Sequence, residues 1–259
     1  FTNKLREMIH PLQYHAKLLH DSTRVAAYRE AIQAAVKEGD TVLDVGTGSG
    51  VLAVFAAQAG AKRVYAVERG PAIVMARELA EANGVSDRCV FIRSKLEDVE
   101  LPEKVDVITS ELIANAVIGE EMAASVGAAR DRWLKPGGRV IPQSVSLQVA
   151  PLESANAAEC LKMPPPEQHG IDFGTIAQRL LNYPQTIMAL RCESLLAEAQ
   201  TLWSYFGQET QCDAVLEGTI EFEIQNSRTL HGFAAWFHAQ LWEDIRFETG
   251  PDRGSENSW

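Results

Sequence analysis

Three glycines at every second position, Gly46, Gly48 and Gly50, follow the run Thr41-Val42-Leu43-Asp44-Val45. A backbone that must take positive φ and come close to a ligand needs glycine there, because a Cβ would stand in the way. Eighteen residues past Gly50, after the run Arg63-Val64-Tyr65-Ala66-Val67, stands Glu68. A carboxylate so placed can accept hydrogen bonds from both ribose hydroxyls of an adenosine moiety. A second acidic feature lies further on, where Glu111 and Glu120 are nine residues apart. If the loop between them folds as a hairpin, both carboxylates face one point. Glu121 is the neighbouring alternative to Glu120, and solvated loop acids are the alternative to a site.

Those residues need a scaffold, and the patterns around them supply one. Thr41–Val45 reads as a strand and Val51–Ala59 as an apolar helix stopped by Gly60, the opening unit of a nucleotide-binding α/β sheet. The dinucleotide fingerprint G-x-G-x-x-G would need a glycine where Val51 stands. The D-x-G-x-G-x-G form followed by an acid resembles the S-adenosylmethionine site of class I methyltransferases; an NAD site and a glycine turn without ligand are the alternatives. Residues 1–37 read as helical, with Asp21 and Ser22 able to start a helix and Arg24 on a segment that can fold over the site. Helix 71–83, strand 89–93, strand 105–109, a helix from about 117 to 134 and strand 139–141 continue the alternation. That order implies a parallel sheet with ligands at the strands' carboxyl ends, which is where Glu111 falls. Past Pro142 the pattern turns to polar–apolar alternation at 144–150 and 219–224 and to an aromatic run at 230–242, as antiparallel strands show. Between them, 152–183 is irregular, with Pro164-Pro165-Pro166 and a short helix near 176–181.

Bulk properties narrow the function classes. At 259 residues the chain can hold one large domain or two smaller ones, and 46% hydrophobic with 23% charged residues is ordinary for a soluble globular protein. A net charge of −11 argues against nucleic acid as a partner and suits a cationic substrate. No apolar run approaches the ~20 residues of a membrane span. The four cysteines are far apart, with no CxxC, which argues against a metal site and for a reducing, cytoplasmic setting (nuclear if the source is eukaryotic). Because the sequence opens on Phe1, a native N-terminus is expected to be missing.

The motifs together resemble those of the protein arginine N-methyltransferases. The family's loop begins Ser-Glu and carries a second glutamate nine residues on, as Ser110-Glu111 and Glu120 do. Its H-x-x-x-L-x-D-x-x-R-x-x-x-Y pattern matches His15, Leu19, Asp21, Arg24 and Tyr28, and Lys95-Leu96-Glu97 and Arg132-Trp133-Leu134-Lys135-Pro136 also fit. The resemblance implies an α/β fold: a Rossmann-like class I methyltransferase sheet followed by a β-barrel-like domain with an inserted dimerisation arm. The corresponding divisions are 1–37 over the cofactor, 38–142 binding it, and 143–259 with an arm at about 152–183, the last domain incomplete at its C-terminus. The implied cofactor is S-adenosyl-L-methionine, with S-adenosyl-L-homocysteine as product. Asp44, Gly46, Gly48, Gly50, Leu96 and Glu97 would bind it, Arg24 holding its carboxylate, Glu68 its ribose and Glu97 its adenine amine. Glu111 and Glu120 would be catalytic, clamping a guanidinium. His15, Asp21, Ser258 and Trp259 would support the substrate, an arginine-containing protein or peptide, and the subunits would pair head to tail as a homodimer. Departures are visible: Leu112-Ile113-Ala114-Asn115 replaces Trp-Met-Gly-Tyr, Leu18 replaces a methionine, and Asn257-Ser258-Trp259 replaces Thr-His-Trp. They leave open a small guanidino or amine metabolite as acceptor, or a non-catalytic cofactor-binding partner subunit.

Overall fold

The structure, a computed structural model, describes residues 12–113, 121–155, 159, 162–181, 190–225 and 227–252. Glu120, Ser258 and Trp259, and parts of the expected N-terminal segment and arm, lie outside the described residues. No helix among the described residues is long and apolar enough to cross a membrane.

Strand β1 (Thr41–Val45) is buried at all five positions, which is why its sequence is apolar apart from Thr41 and Asp44. It pairs in parallel with β2 (Arg63–Glu68) on one side and β4 (Val105–Ser110) on the other. With β3 (Cys89–Arg93) and β5 (Leu134–Ile141) it makes a five-stranded sheet in the order β3-β2-β1-β4-β5. The order reverses at β1, so the crevice beyond the carboxyl ends of β1 and β4 is a topological switch point, where open α/β sheets bind ligands. The register pairs Val45 with Ser110 and thereby sets Gly46 beside Glu111. Strand β5 begins at Leu134, five residues before the expected start, and its register with β4 shifts between Val105 and Val107 to absorb Pro136-Gly137-Gly138.

The first helix, α1, covers residues 12–20, and α2 runs Ser22–Ala35. Asp21 caps α2, its carboxylate accepting the Arg24 backbone N–H at 3.0 Å. Tyr28, Ala31, Ile32 and Ala35 are buried at the i, i+3, i+4, i+7 spacing of one helix face. Continuing that face back one turn arrives at Arg24, which is 4% exposed. The remaining helices of this layer are α3 (Val51–Gln58), α4 (Ile73–Ala82) and α5 (Glu121–Trp133).

The chain then crosses to a second sheet of β6 (Ser144–Leu152), β7 (Gln200–Phe206), β8 (Gly232–Trp242) and β9 (Ile245–Glu248), antiparallel in the order β7-β6-β8-β9. Alternating burial along β8 matches its half-buried pattern. The alternation at 219–224, read as a strand, is corrected: those residues belong to no ladder. Gln200 Nε2 of β7 donates to the Glu221 backbone carbonyl at 2.7 Å, and the Phe222 ring packs 6.1 Å from Phe233 of β8. In the 152–183 region α6 (Gly174–Leu181) has no buried residue. One hydrophobic cluster joins the two sheets: Tyr28 and Ile32 of α2, Val42 and Leu43 of β1, and Phe237, Leu241 and Phe247 of the second sheet belong to it. Fully burying each such large side chain contributes roughly 1.5–3 kcal/mol.

Candidate active site

The glycine loop leaves β1 and turns into α3. Gly46 and Gly48 have φ of 72° and 53°, a left-handed conformation that side chains resist. Space is denied as well: a Cβ on Gly48 would lie 2.6 Å from His15 Cε1, and one on Gly46 2.6 Å from Leu112 Cδ2. Replacing Gly48 by alanine is therefore expected to strain the loop by about 1–2 kcal/mol and to lift His15 off it. A fall in melting temperature together with a large loss of S-adenosylmethionine affinity by calorimetry would bear this out; unchanged affinity would not.

Thr47 anchors the loop from two sides. Its N–H donates to the Val67 carbonyl at 2.9 Å, and its hydroxyl donates to Asp44 Oδ2 at 2.5 Å. Asp44 is fully buried, and burial pushes its carboxyl up to about 7 against the pull of the Thr47 bond. Asp44 Oδ1 has no hydrogen-bond partner among the described residues. Expected at the cofactor, Asp44 sits beneath the loop and holds its shape. Glu68 closes β2 and ties two turns together: Oε2 accepts from the Gly48 N–H of the glycine loop at 3.1 Å, and Oε1 from the Gly70 N–H just past β2 at 2.6 Å.

Glu111 stands at the mouth of β4. Its Oε2 accepts from Arg24 Nη1 at 2.6 Å, and Arg24 Nη2 donates to the Leu18 carbonyl at 2.9 Å. The pair is well shielded, with side chains 5% and 15% exposed. Burial pushes the Glu111 carboxyl up to about 7, with Arg24 the main opposing influence. Its other oxygen, Oε1, is buried with no partner among the described residues. The backbone here is locked from two directions, by Tyr28 Oη donating to the Ser110 carbonyl at 3.2 Å and Ser110 Oγ donating to the Val45 carbonyl at 3.0 Å. The motif residues thus divide by function: Asp21 starts the helix, Arg24 holds the carboxylate, and Tyr28 fixes the peptide that carries it.

These groups wall a cavity of about 370 Å³, within the usual range for a small-molecule site. Arg24, His15, Gly46, Gly48, Glu68 and Glu111 line it. Among the other expected site residues, Asp21, Asp44, Gly50, Leu96 and Glu97 lie outside its wall among the described residues. Leu96 and Glu97 belong to a short 3-10 turn that the Arg132 guanidinium ties down through the Glu97 and Val99 carbonyls at 3.0 and 2.8 Å. Tyr14 and Leu112 line the cavity although the sequence reading gave neither a role. The signal for both was adjacency, Tyr14 to His15 and Leu112 to Glu111. No group of three or more His, Cys, Asp or Glu that could hold a metal ion occurs among the described residues.

Comparison with known proteins adds four findings. A family model for ribosomal protein L11 methyltransferase matches residues 19–144. The chain is 35% identical to a probable protein arginine N-methyltransferase 6 of Arabidopsis thaliana over 88% of its own length, and spans about half, 54%, of that relative. It is 33% identical to protein arginine N-methyltransferase 6 of Xenopus laevis, covering 95% of this chain and 75% of that one. Among solved structures, the Trypanosoma brucei PRMT1 enzyme-prozyme heterotetrameric complex with AdoHcy superimposes with a TM-score of 0.77 at 25% identity, covering 93% of this chain and 78% of that chain.

Proposed function

The chain belongs to the protein arginine N-methyltransferase family, and from that premise we propose that it methylates a guanidino nitrogen of an arginine in a protein or peptide, with S-adenosylmethionine as donor. The observation that carries the proposal is Glu111, a shielded carboxylate on the wall of the cavity with one oxygen fixed by Arg24 and the other unpartnered among the described residues. The cavity also fits the donor: the two positive-φ glycines bring bare backbone to its wall, and Glu68 presents a carboxylate beside them. When bound, S-adenosylmethionine supplies an electrophilic methyl group. Glu68 would take the ribose, Arg24 the carboxylate, and His15 the space over the loop. Glu111 would grip the guanidinium edge through charge-assisted hydrogen bonds, fixing its plane. A guanidinium is a poor nucleophile because its lone pairs are delocalised. Charge drawn toward the nitrogens that Glu111 and Glu120 hold leaves the remaining nitrogen richer in electrons. Alignment and preorganised charge then lower the barrier.

The test is methyl transfer from labelled S-adenosylmethionine to an arginine-rich peptide pool, analysed by mass spectrometry after acid hydrolysis. Methylarginine is the expected product. Label on free guanidino or amine compounds alone would move the acceptor to a metabolite. Cofactor binding with no transfer would make the chain a partner subunit, in line with the enzyme-prozyme assembly of the trypanosome relative.

The second sheet is read as part of a β-barrel-like domain and the 152–183 region as its arm. Ile171, Ile176 and Leu181, on and just before α6, are 55%, 50% and 59% exposed, an apolar face suited to a second copy of the chain. The assembly proposed is a head-to-tail homodimer, for which light scattering should give twice the 28.4 kDa of the chain. A monomer at micromolar concentration would end that reading.

A further inference from the structure

A strand buried on both faces is ordinarily apolar to its end, yet β4 finishes on a fully buried serine, Ser110. A buried hydroxyl is costly unless it is bonded, and this one donates to the Val45 carbonyl at 3.0 Å. That carbonyl belongs to the peptide leading into Gly46, where the glycine loop begins. The Ser110 carbonyl belongs to the peptide leading into Glu111, and it accepts from Tyr28 Oη at 3.2 Å. Tyr28 is itself buried and stands on α2, the helix that also carries Arg24. Three elements thus meet at one residue: β1 with its glycine loop, β4 with Glu111, and the helix whose arginine holds Glu111. The two loops also touch further on, where Leu112 Cδ2 lies 2.6 Å from the place a Cβ on Gly46 would take.

Resting on the acceptor reading above, we propose that Ser110 is a positioning residue that sets the register between the glycine loop and Glu111, with the Tyr28 hydroxyl as the second half of the same junction. Ser110 lies outside the cavity wall among the described residues, so it acts through Glu111. Donor and acceptor can each still bind without that register, because Glu68 and the glycine loop sit at the ends of β2 and β1 and Glu111 at the end of β4. Transfer is more demanding: the reacting atoms must stand about 3–3.5 Å apart and in line, and a displacement of about 1 Å costs on the order of a hundredfold. The pairing of β1 with β4 ends at Val45 and Ser110. The serine hydroxyl therefore doubles the tie at the point where the two strands open into loops.

The test uses the full chain with Ser110→Ala, Tyr28→Phe and the double variant. Calorimetry gives the affinity and stoichiometry for S-adenosylmethionine, a fluorescent arginine peptide gives Kd, and initial rates give kcat and KM. Ser110→Ala is expected to lower kcat by about tenfold to a hundredfold while both affinities stay within about threefold. Full donor stoichiometry shows that the loss is not unfolded protein. Tyr28→Phe keeps the buried ring and should show the same split. Because both hydroxyls act on one residue, the double variant should lose little more than the worse single variant, whereas independent effects would multiply. Unaltered kcat in either single variant would overturn the proposal, as would affinity lost in step with kcat, or multiplied losses in the double variant. If Ser110→Ala binds no donor, Tyr28→Phe alone decides by the same split. Wild-type protein that neither binds nor methylates the peptide would take down the acceptor reading and this proposal together; an active wild type with indifferent variants would remove only the junction.

Discussion

Glu111→Gln is expected to lower kcat for peptide methylation by at least about a hundredfold, the scale of losing one preorganised electrostatic partner, while S-adenosylmethionine affinity stays within about threefold by calorimetry. Glutamine keeps the shape and can still accept the Arg24 hydrogen bond. It brings no negative charge to the guanidinium edge. The pH dependence gives a second reading of the same group. Clamping needs the carboxylate form, and burial holds the Glu111 carboxyl at about 7 against an ordinary 4.5. An arginine guanidinium stays protonated throughout this range. Wild-type kcat should therefore rise as pH climbs through about 7 and level off above it. The variant's residual rate should lack that limb. A Glu111→Gln protein with near-normal turnover, or with the same acid limb, would dismiss Glu111 as the clamp.

Arg24→Met should cost about 3–5 kcal/mol of stability at alkaline pH, because it leaves a buried carboxylate without its cation. For a chain of this size that is a fall of roughly 10 °C in melting temperature. The sign with pH is fixed by Glu111. Its folded pKa lies above the unfolded value, so the folded state binds more protons between about 4.5 and 7, and this group's contribution to stability declines as pH rises across that window. Arg24 opposes the shift, so removing it extends the decline to higher pH and deepens it. The gap between wild type and Arg24→Met should be small near pH 5 and widen above about pH 7 by about 1.4 kcal/mol per pH unit, reaching its full size only about two to four units higher. Melting curves at the two extremes decide it. A gap independent of pH would mean that Arg24 acts through packing and its bond to the Leu18 carbonyl.

The loop, its flanking strands and the two acids at the sheet's edge were legible because each is fixed by local spacing. Glycine alternation after an apolar run, and an acid directly after the next strand, are constraints on neighbouring residues. Arg24 was harder, since an arginine in a helix is ordinarily solvated. What marks it is the face it shares with Tyr28, Ile32 and Ala35, a pattern visible only once the buried face is known. Asp44 shows the opposite limit. Sequence places it in the motif, but whether a strand residue faces a cavity or the underside of a loop depends on what packs over the sheet. The segment 219–224 shows that alternation reports half-burial and not pairing: Phe222 packs on Phe233 while the segment's backbone forms no ladder. Leu96 and Glu97 were chosen by motif match, and their tie to Arg132 is a contact across 35 positions of sequence that no local pattern announces.

Helix α2 carries Arg24 toward the cavity and buries Tyr28 and Ile32 in the cluster that also holds Phe237 and Phe247 of the second sheet. Any exchange of parts between this chain and a relative is constrained by that double allegiance. A fragment cut at Pro142 would expose the outer side of the helix that positions the Glu111 partner, so it is not a self-sufficient cofactor-binding unit. Grafting a foreign second sheet would require residues 22–35 to travel with it, even though the whole first sheet lies between them in the sequence.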